Sequence, residues 1–157
     1  MKIRTQTILL EVGVFFAGLF TLGVGAFLVE ISHDVAWDNP TITYMRVPVL
    51  LIAWAFLAFV LAALVLAFLL FERIRKDSIF ETQSVRLLKG IGLCGFIAII
   101  PLVVLFFYTR ANVGGSITNL YVILGVVALI LIGIFFYLIA ALFQKAVDYK
   151  QEVDLTV

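Results

Sequence analysis

The chain has 157 residues, of which 64% are hydrophobic and 13% charged, and its mean hydropathy is +1.21. A soluble domain is nearer half apolar and a quarter charged, so these residues cannot cover a core with a water-facing surface. A net charge of +1 gives no footprint for direct nucleic-acid binding, and a lone cysteine, Cys94, excludes an intramolecular disulfide.

Four apolar stretches follow one another along the chain, at about 7–29, 47–71, 90–109 and 120–143. Roughly 20 apolar residues in a helix cross about 30 Å of hydrocarbon, so each stretch is long enough to span a bilayer. The first follows Lys2 and Arg4, contains Glu11 and includes Val24-Gly25-Ala26, a small-residue triplet of the kind signal peptidases cleave. Its length and Glu11 favour a retained span. Small residues recur every four positions at Ala17, Thr21 and Gly25, which would let a neighbouring backbone approach.

The loop after the first span carries Glu30, His33, Asp34 and Asp38, then Trp37 and Tyr44, which suit an interfacial aromatic belt. The spacing reads as a solvated helix end; a metal site built on His33 is the alternative. Pro48 fits the first turn of the second span, where a missing N–H costs little. That span holds no charge and offers Ala58 with Ala62, and Ala63 with Ala67.

Residues 72–89 form a charged hairpin. Glu72 with Lys76, and Arg73 with Asp77, stand at i,i+4 and favour continuing the second helix beyond the membrane. Ser78-Ile79-Phe80-Glu81 matches a capping box, so the third helix is expected to start at Ser78. Its span contains Gly90, Cys94 and Ala98 on one stripe, with Gly92 and Gly95 alongside, and Pro101, which should kink it. The stripes read as packing within one bundle; a homodimer seam is the alternative. The turn at Gly114-Gly115-Ser116 leads to the fourth span, and the tail 144–157 reads as a helical extension.

The positive residues are sharply asymmetric. Lys2, Arg4, Arg73, Arg75, Lys76, Arg86, Lys89, Lys145 and Lys150 fall on one side, and only Arg46 and Arg110 on the other. By the positive-inside rule both termini and the hairpin are cytoplasmic. Their charges would anchor at lipid headgroups or dock a protein.

The patterns Phe80-Glu81-Thr82-Gln83-Ser84-Val85-Arg86-Leu87-Leu88-Lys89-Gly90-Ile91-Gly92 and Ala146-Val147-Asp148-Tyr149-Lys150-Gln151-Glu152-Val153-Asp154-Leu155-Thr156-Val157 resemble the YoaS-like family. These are small four-pass proteins of the bacterial cytoplasmic (inner) membrane, classed as a domain of unknown function. The resemblance implies a partner, because family members are often encoded beside a short helix-turn-helix DNA-binding regulator. It supplies no catalytic residues, and the chain departs from it at Glu11, where a basic or neutral residue is expected.

Chemistry is sparse. No Asp, Glu, Lys, Arg or His falls near the middle of the second, third or fourth span, where ion-coupled carriers place such groups. The chain shows no HExxH, paired histidines, nucleophile motif or phosphate-binding glycine loop. The expectation is therefore an all-α integral membrane four-helix bundle, not an enzyme, with no cofactor and no metal. Its leading role is a regulator or scaffold that binds a cytoplasmic partner through Arg73, Arg75, Lys76, Phe80, Arg86, Lys89, Asp148 and Glu152. A small homo-oligomeric channel or exporter subunit using Glu11 is the alternative. Glu11 is expected to pair with Lys89 or Lys145, or to snorkel to the interface.

Overall fold

A computed structural model describes residues 3–76 and 81–155. Among the described residues five α-helices run in chain order: α1 (Ile3–Asp38), α2 (Arg46–Arg75), α3 (Thr82–Ile97), α4 (Ile99–Asn112) and α5 (Thr118–Leu155). Four uninterrupted or nearly uninterrupted rods are long and apolar enough to cross a membrane, α3 and α4 together forming one of them. The all-helical architecture agrees with the composition, since every backbone group in hydrocarbon must bond internally.

α1 continues past its apolar run to Asp38 and stops because Asn39 precedes Pro40. A residue before proline is pushed out of the helical region, and Asn39 lies at φ −129°, ψ 77°. Its main-chain and side-chain N–H groups both donate to the Val35 carbonyl at 3.1 Å, closing the helix end. A 3-10 turn, Pro40–Met45, leads into α2, with Pro48 in the first turn as expected. At about 1.5 Å per residue α2 is about 45 Å long, which exceeds the hydrocarbon thickness.

The third span is broken at Ala98. Pro101 has no N–H for the Ile97 carbonyl and its ring crowds that carbonyl, so the helical ladder lapses one turn before the proline. The turn after α4 reverses through Gly115 at φ +73°, a left-handed conformation glycine adopts without strain.

The helices form a row: α1 packs on α2, α2 on α3 and α4, and these on α5. Among the described residues no Cα of α1 comes within 8 Å of α3, α4 or α5, and none of α2 within 8 Å of α5. The bundle is therefore open between its first and last helices. On α1 the buried Thr7, Glu11 and Thr21 and the half-buried Val14, Ala17, Gly25, Leu28 and Ser32 recur at three- and four-residue intervals and form the side that packs on α2. Trp54 Nε1 donates to the Gly25 carbonyl at 3.0 Å across this contact, and Leu57 and Trp54 face the open side of Gly25.

The tightest crossing joins α3 to α5. A Cβ on Gly92 would lie 2.7 Å from Tyr137 Cδ2 and 3.2 Å from the Gly133 carbonyl oxygen, and one on Gly133 would lie 2.8 Å from the Phe96 ring. Gly90 turns toward Leu66 of α2 instead. Ala63 and Ala67 pack against the core while Ala58 and Ala62 are exposed. The small-residue stripes at Gly25, Gly90, Gly92 and Gly95, and at Ala63 and Ala67, thus meet neighbours within the chain.

Burial concentrates at one end. Leu70 of α2, Val85, Leu88 and Ile91 of α3, and Ala140 and Val147 of α5 form the hydrophobic core, close to the chain's basic residues. Ser84 beside them is fully buried.

Candidate functional site

At the basic end α3 packs between the end of α2 and the last turns of α5, and the start of α1 lies against α2. α3 starts at Thr82, with Glu81 extended before it at φ −123°, ψ 152°. This corrects the expected start at Ser78, because an extended Glu81 cannot be the third residue of a helix begun there. The remaining capping-box positions, Asp77 and Phe80 lie outside the described residues.

Three of the hairpin cations are already paired. Arg75 Nε lies 3.4 Å from Glu11 Oε1, Arg73 Nη1 donates to Glu81 Oε2 at 3.3 Å, and Lys76 Nζ donates to Glu72 Oε1 at 2.7 Å. The Glu11 pairing corrects the expected partners Lys89 and Lys145. The cause is the row arrangement, in which α1 touches α2 and stands away from α3 and α5. Glu11 is 8% exposed, and its Oε1 receives no hydrogen bond among the described residues, so the contact with Arg75 is one of charge. Arg73 pairs with Glu81, and its expected partner Asp77 lies outside the described residues.

Between the end of α2 and the start of α3 lies a notch of about 370 Å³, lined by Leu69 and Leu87 and by the polar Glu72, Arg73, Lys76, Gln83 and Arg86. Arg86 and Lys89 are exposed on α3 and form no ion pair with a described residue. On α5, Gln144 donates to Asp148 at 2.9 Å, and Asp148 and Glu152 are exposed. Val147 turns inward and is 2% exposed, in the same core as Val85 and Leu88. The hairpin and the tail, far apart in sequence, are one packed unit. Sequence reasoning missed Val85 and Val147 as its joint; their signal is the apolar residue recurring among charges at helical spacing.

The other sequence candidates lie at the opposite end. His33 Nδ1 and Asp34 Oδ1 are 3.8 Å apart and both side chains are exposed. Among the described residues no group of three His, Cys, Asp or Glu side chains is gathered as a metal would require. Tyr44 is exposed and donates its hydroxyl to Asn112 Oδ1 at 2.8 Å, tying the 3-10 turn to the end of α4.

Four apolar spans with a charged cap at one end define a multi-pass α-helical membrane protein. Residues 30–157 match the family described as a protein of unknown function, DUF2975, and the chain belongs to that family. The matched segment begins inside α1 and takes in the whole hairpin and tail. The chain is also similar to the uncharacterized membrane protein YoaS of Bacillus subtilis (strain 168), with 29% identity over 98% of this chain and 99% of the relative. No solved structure matches it.

Proposed function

We propose that this protein is a non-enzymatic membrane scaffold whose basic end faces the cytoplasm and holds a soluble partner, a small helix-turn-helix regulator being the kind its family resemblance implies. The observation that carries the reading is the joining of the hairpin and the tail through Val85, Leu88 and Val147. Two segments with the family's pattern are packed into one rigid surface beyond the apolar spans, and a rigid surface loses little entropy on binding. The asymmetry of Lys and Arg supports placing that surface in the cytoplasm. A regulator tethered there is kept from its operator, so release would be the regulatory event.

The pairing of Arg73, Arg75 and Lys76 redirects the choice of contact residues. Cations already neutralised by Glu81, Glu11 and Glu72 offer little to a partner, whereas Arg86 and Lys89 present theirs outward. Asp148 and Glu152 supply charges of the opposite sign on the neighbouring helix. Crosslinking and pull-down from cells expressing the native protein, beside an Arg86→Glu, Lys89→Glu variant, tests the reading. The variant is expected to lose a captured DNA-binding regulator by at least about tenfold, the scale of one well-placed charge contact. Undiminished capture would remove these residues from the interface.

A further inference from the structure

At the end remote from the basic platform, α1 beyond Leu28, the 3-10 turn, the start of α2 and the end of α4 enclose a cleft of about 340 Å³. Its walls are apolar, with Leu28, Val35, Val49, Leu50 and Leu105 facing in over the buried Met45. The volume is at the lower end of ligand pockets, which run from about 300 to 1,000 Å³. It suits a single hydrocarbon chain rather than a bulky ring system.

One cation lines this cleft. Arg46, half-buried as the first residue of α2, donates through Nε to Ser32 Oγ at 3.2 Å, and Ser32 in turn donates to the Val29 carbonyl at 2.7 Å. The side chain is thereby held by its inner nitrogen, while its two terminal nitrogens have no hydrogen bond or ion pair with a described residue. Among the described residues no carboxylate lines the cleft. Glu30, Asp34 and Asp38 lie on the exposed face of α1, set apart from the inward Ser32 by the helical period. A guanidinium with an open fork, beside an apolar slot and without a local counter-ion, is matched by a phosphate that carries an acyl chain. The exposed Trp37 and Tyr44 nearby suit the headgroup depth of a bilayer, where such a molecule is at hand.

We propose that this cleft binds one anionic phospholipid of the surrounding leaflet, its phosphate on Arg46 and one acyl chain between α1, α2 and α4. The site is separate from the basic platform, and its test does not depend on the platform's partner.

The full-length protein in phosphatidylcholine nanodiscs would be titrated with phosphatidylglycerol bearing a photoreactive acyl chain, and the adducts mapped by peptide mass spectrometry. Adducts are expected within 28–53 and 105–118, falling about tenfold in Arg46→Gln, the scale of one lost charge-assisted contact. Leu105→Trp, which fills the slot and leaves the charge, should abolish them, and Arg110→Gln should leave them unchanged. A photoreactive phosphatidylcholine that labels the same peptides equally would overturn the proposal. So would undiminished labelling in both cleft variants, or full displacement by inorganic phosphate, which would show that the acyl slot contributes nothing.

Discussion

Glu11 is the acidic residue that falls within an apolar run, and its neighbour Arg75 explains how it is tolerated there. A carboxylate this buried is costly unless an opposite charge stands close, and Arg75, with its side chain 37% exposed, keeps part of its hydration while doing so. The pair ties the start of α1 to the end of α2, so its role is to hold a helix that has no other neighbour in the row. Glu11→Gln is expected to destabilise the detergent-solubilised protein by about 1–2 kcal/mol, since Arg75 would lose its counter-charge in a half-buried place. Replacing both by leucine should cost less than the two single changes added together. Thermal unfolding of the four variants measures this, and strict additivity would show that the contact does not couple the helices. The residue was conspicuous in the sequence, and its partner was not: Arg75, Lys89 and Lys145 are all basic residues on the same expected side, and only the order of the helices selects among them.

At the scale of the elements, the apolar runs marked all four spans, and the punctuating prolines marked their interruptions. Asn39-Pro40 ends α1, Pro48 opens α2 and Pro101 breaks the third span. The start of α3 was less legible. Ser78 with Glu81 has the spacing of a capping box, yet Glu81 lies extended and gives its carboxylate to Arg73 instead of to the helix. A capping signal and an exposed ion pair are each worth about 1 kcal/mol or less, so the local sequence signal alone does not decide where the helix begins. Pro101→Ala returns the missing N–H, so the Ile97 carbonyl should gain a hydrogen bond and α3 should run on into α4. Infrared spectroscopy with a labelled Ile97 carbonyl would register the change as a shift to lower frequency. An unshifted band would assign the break to the packing of the buried Ala98 rather than to the proline.

Over the whole molecule, chain direction and helix number bring the end of α2, the start of α3 and the last turns of α5 to one end, and the core forms there. The spans themselves expose much of their apolar surface, as lipid-facing helices do, while the glycine crossing of α3 with α5 supplies close backbone approach. If the basic end is cytoplasmic, cysteines at Asn39 and Ser116, introduced into a Cys94→Ser background, should react with an impermeant maleimide on intact cells. Cysteines at Glu81 and Tyr149 should react only after permeabilisation. The reverse pattern would invert the protein in the membrane and separate the platform from any cytoplasmic partner.

Composition and the lengths of the apolar runs determined the solvent, the helical class and the number of spans, because a backbone in hydrocarbon has few ways to bond itself and 30 Å is a fixed distance. The distribution of Lys and Arg was likewise a property of the string alone. Tertiary structure decided everything that depends on which helices are neighbours. It gave Glu11 to Arg75, joined Val85 to Val147, and brought Ser32 and Arg46 to one cleft from either side of the 3-10 turn. Apolar periodicity says which face of a helix turns inward, and in a membrane many faces are nearly alike. The choice among them is made by where glycines admit a neighbouring side chain or backbone, and that fit exists only once the helices are set against one another.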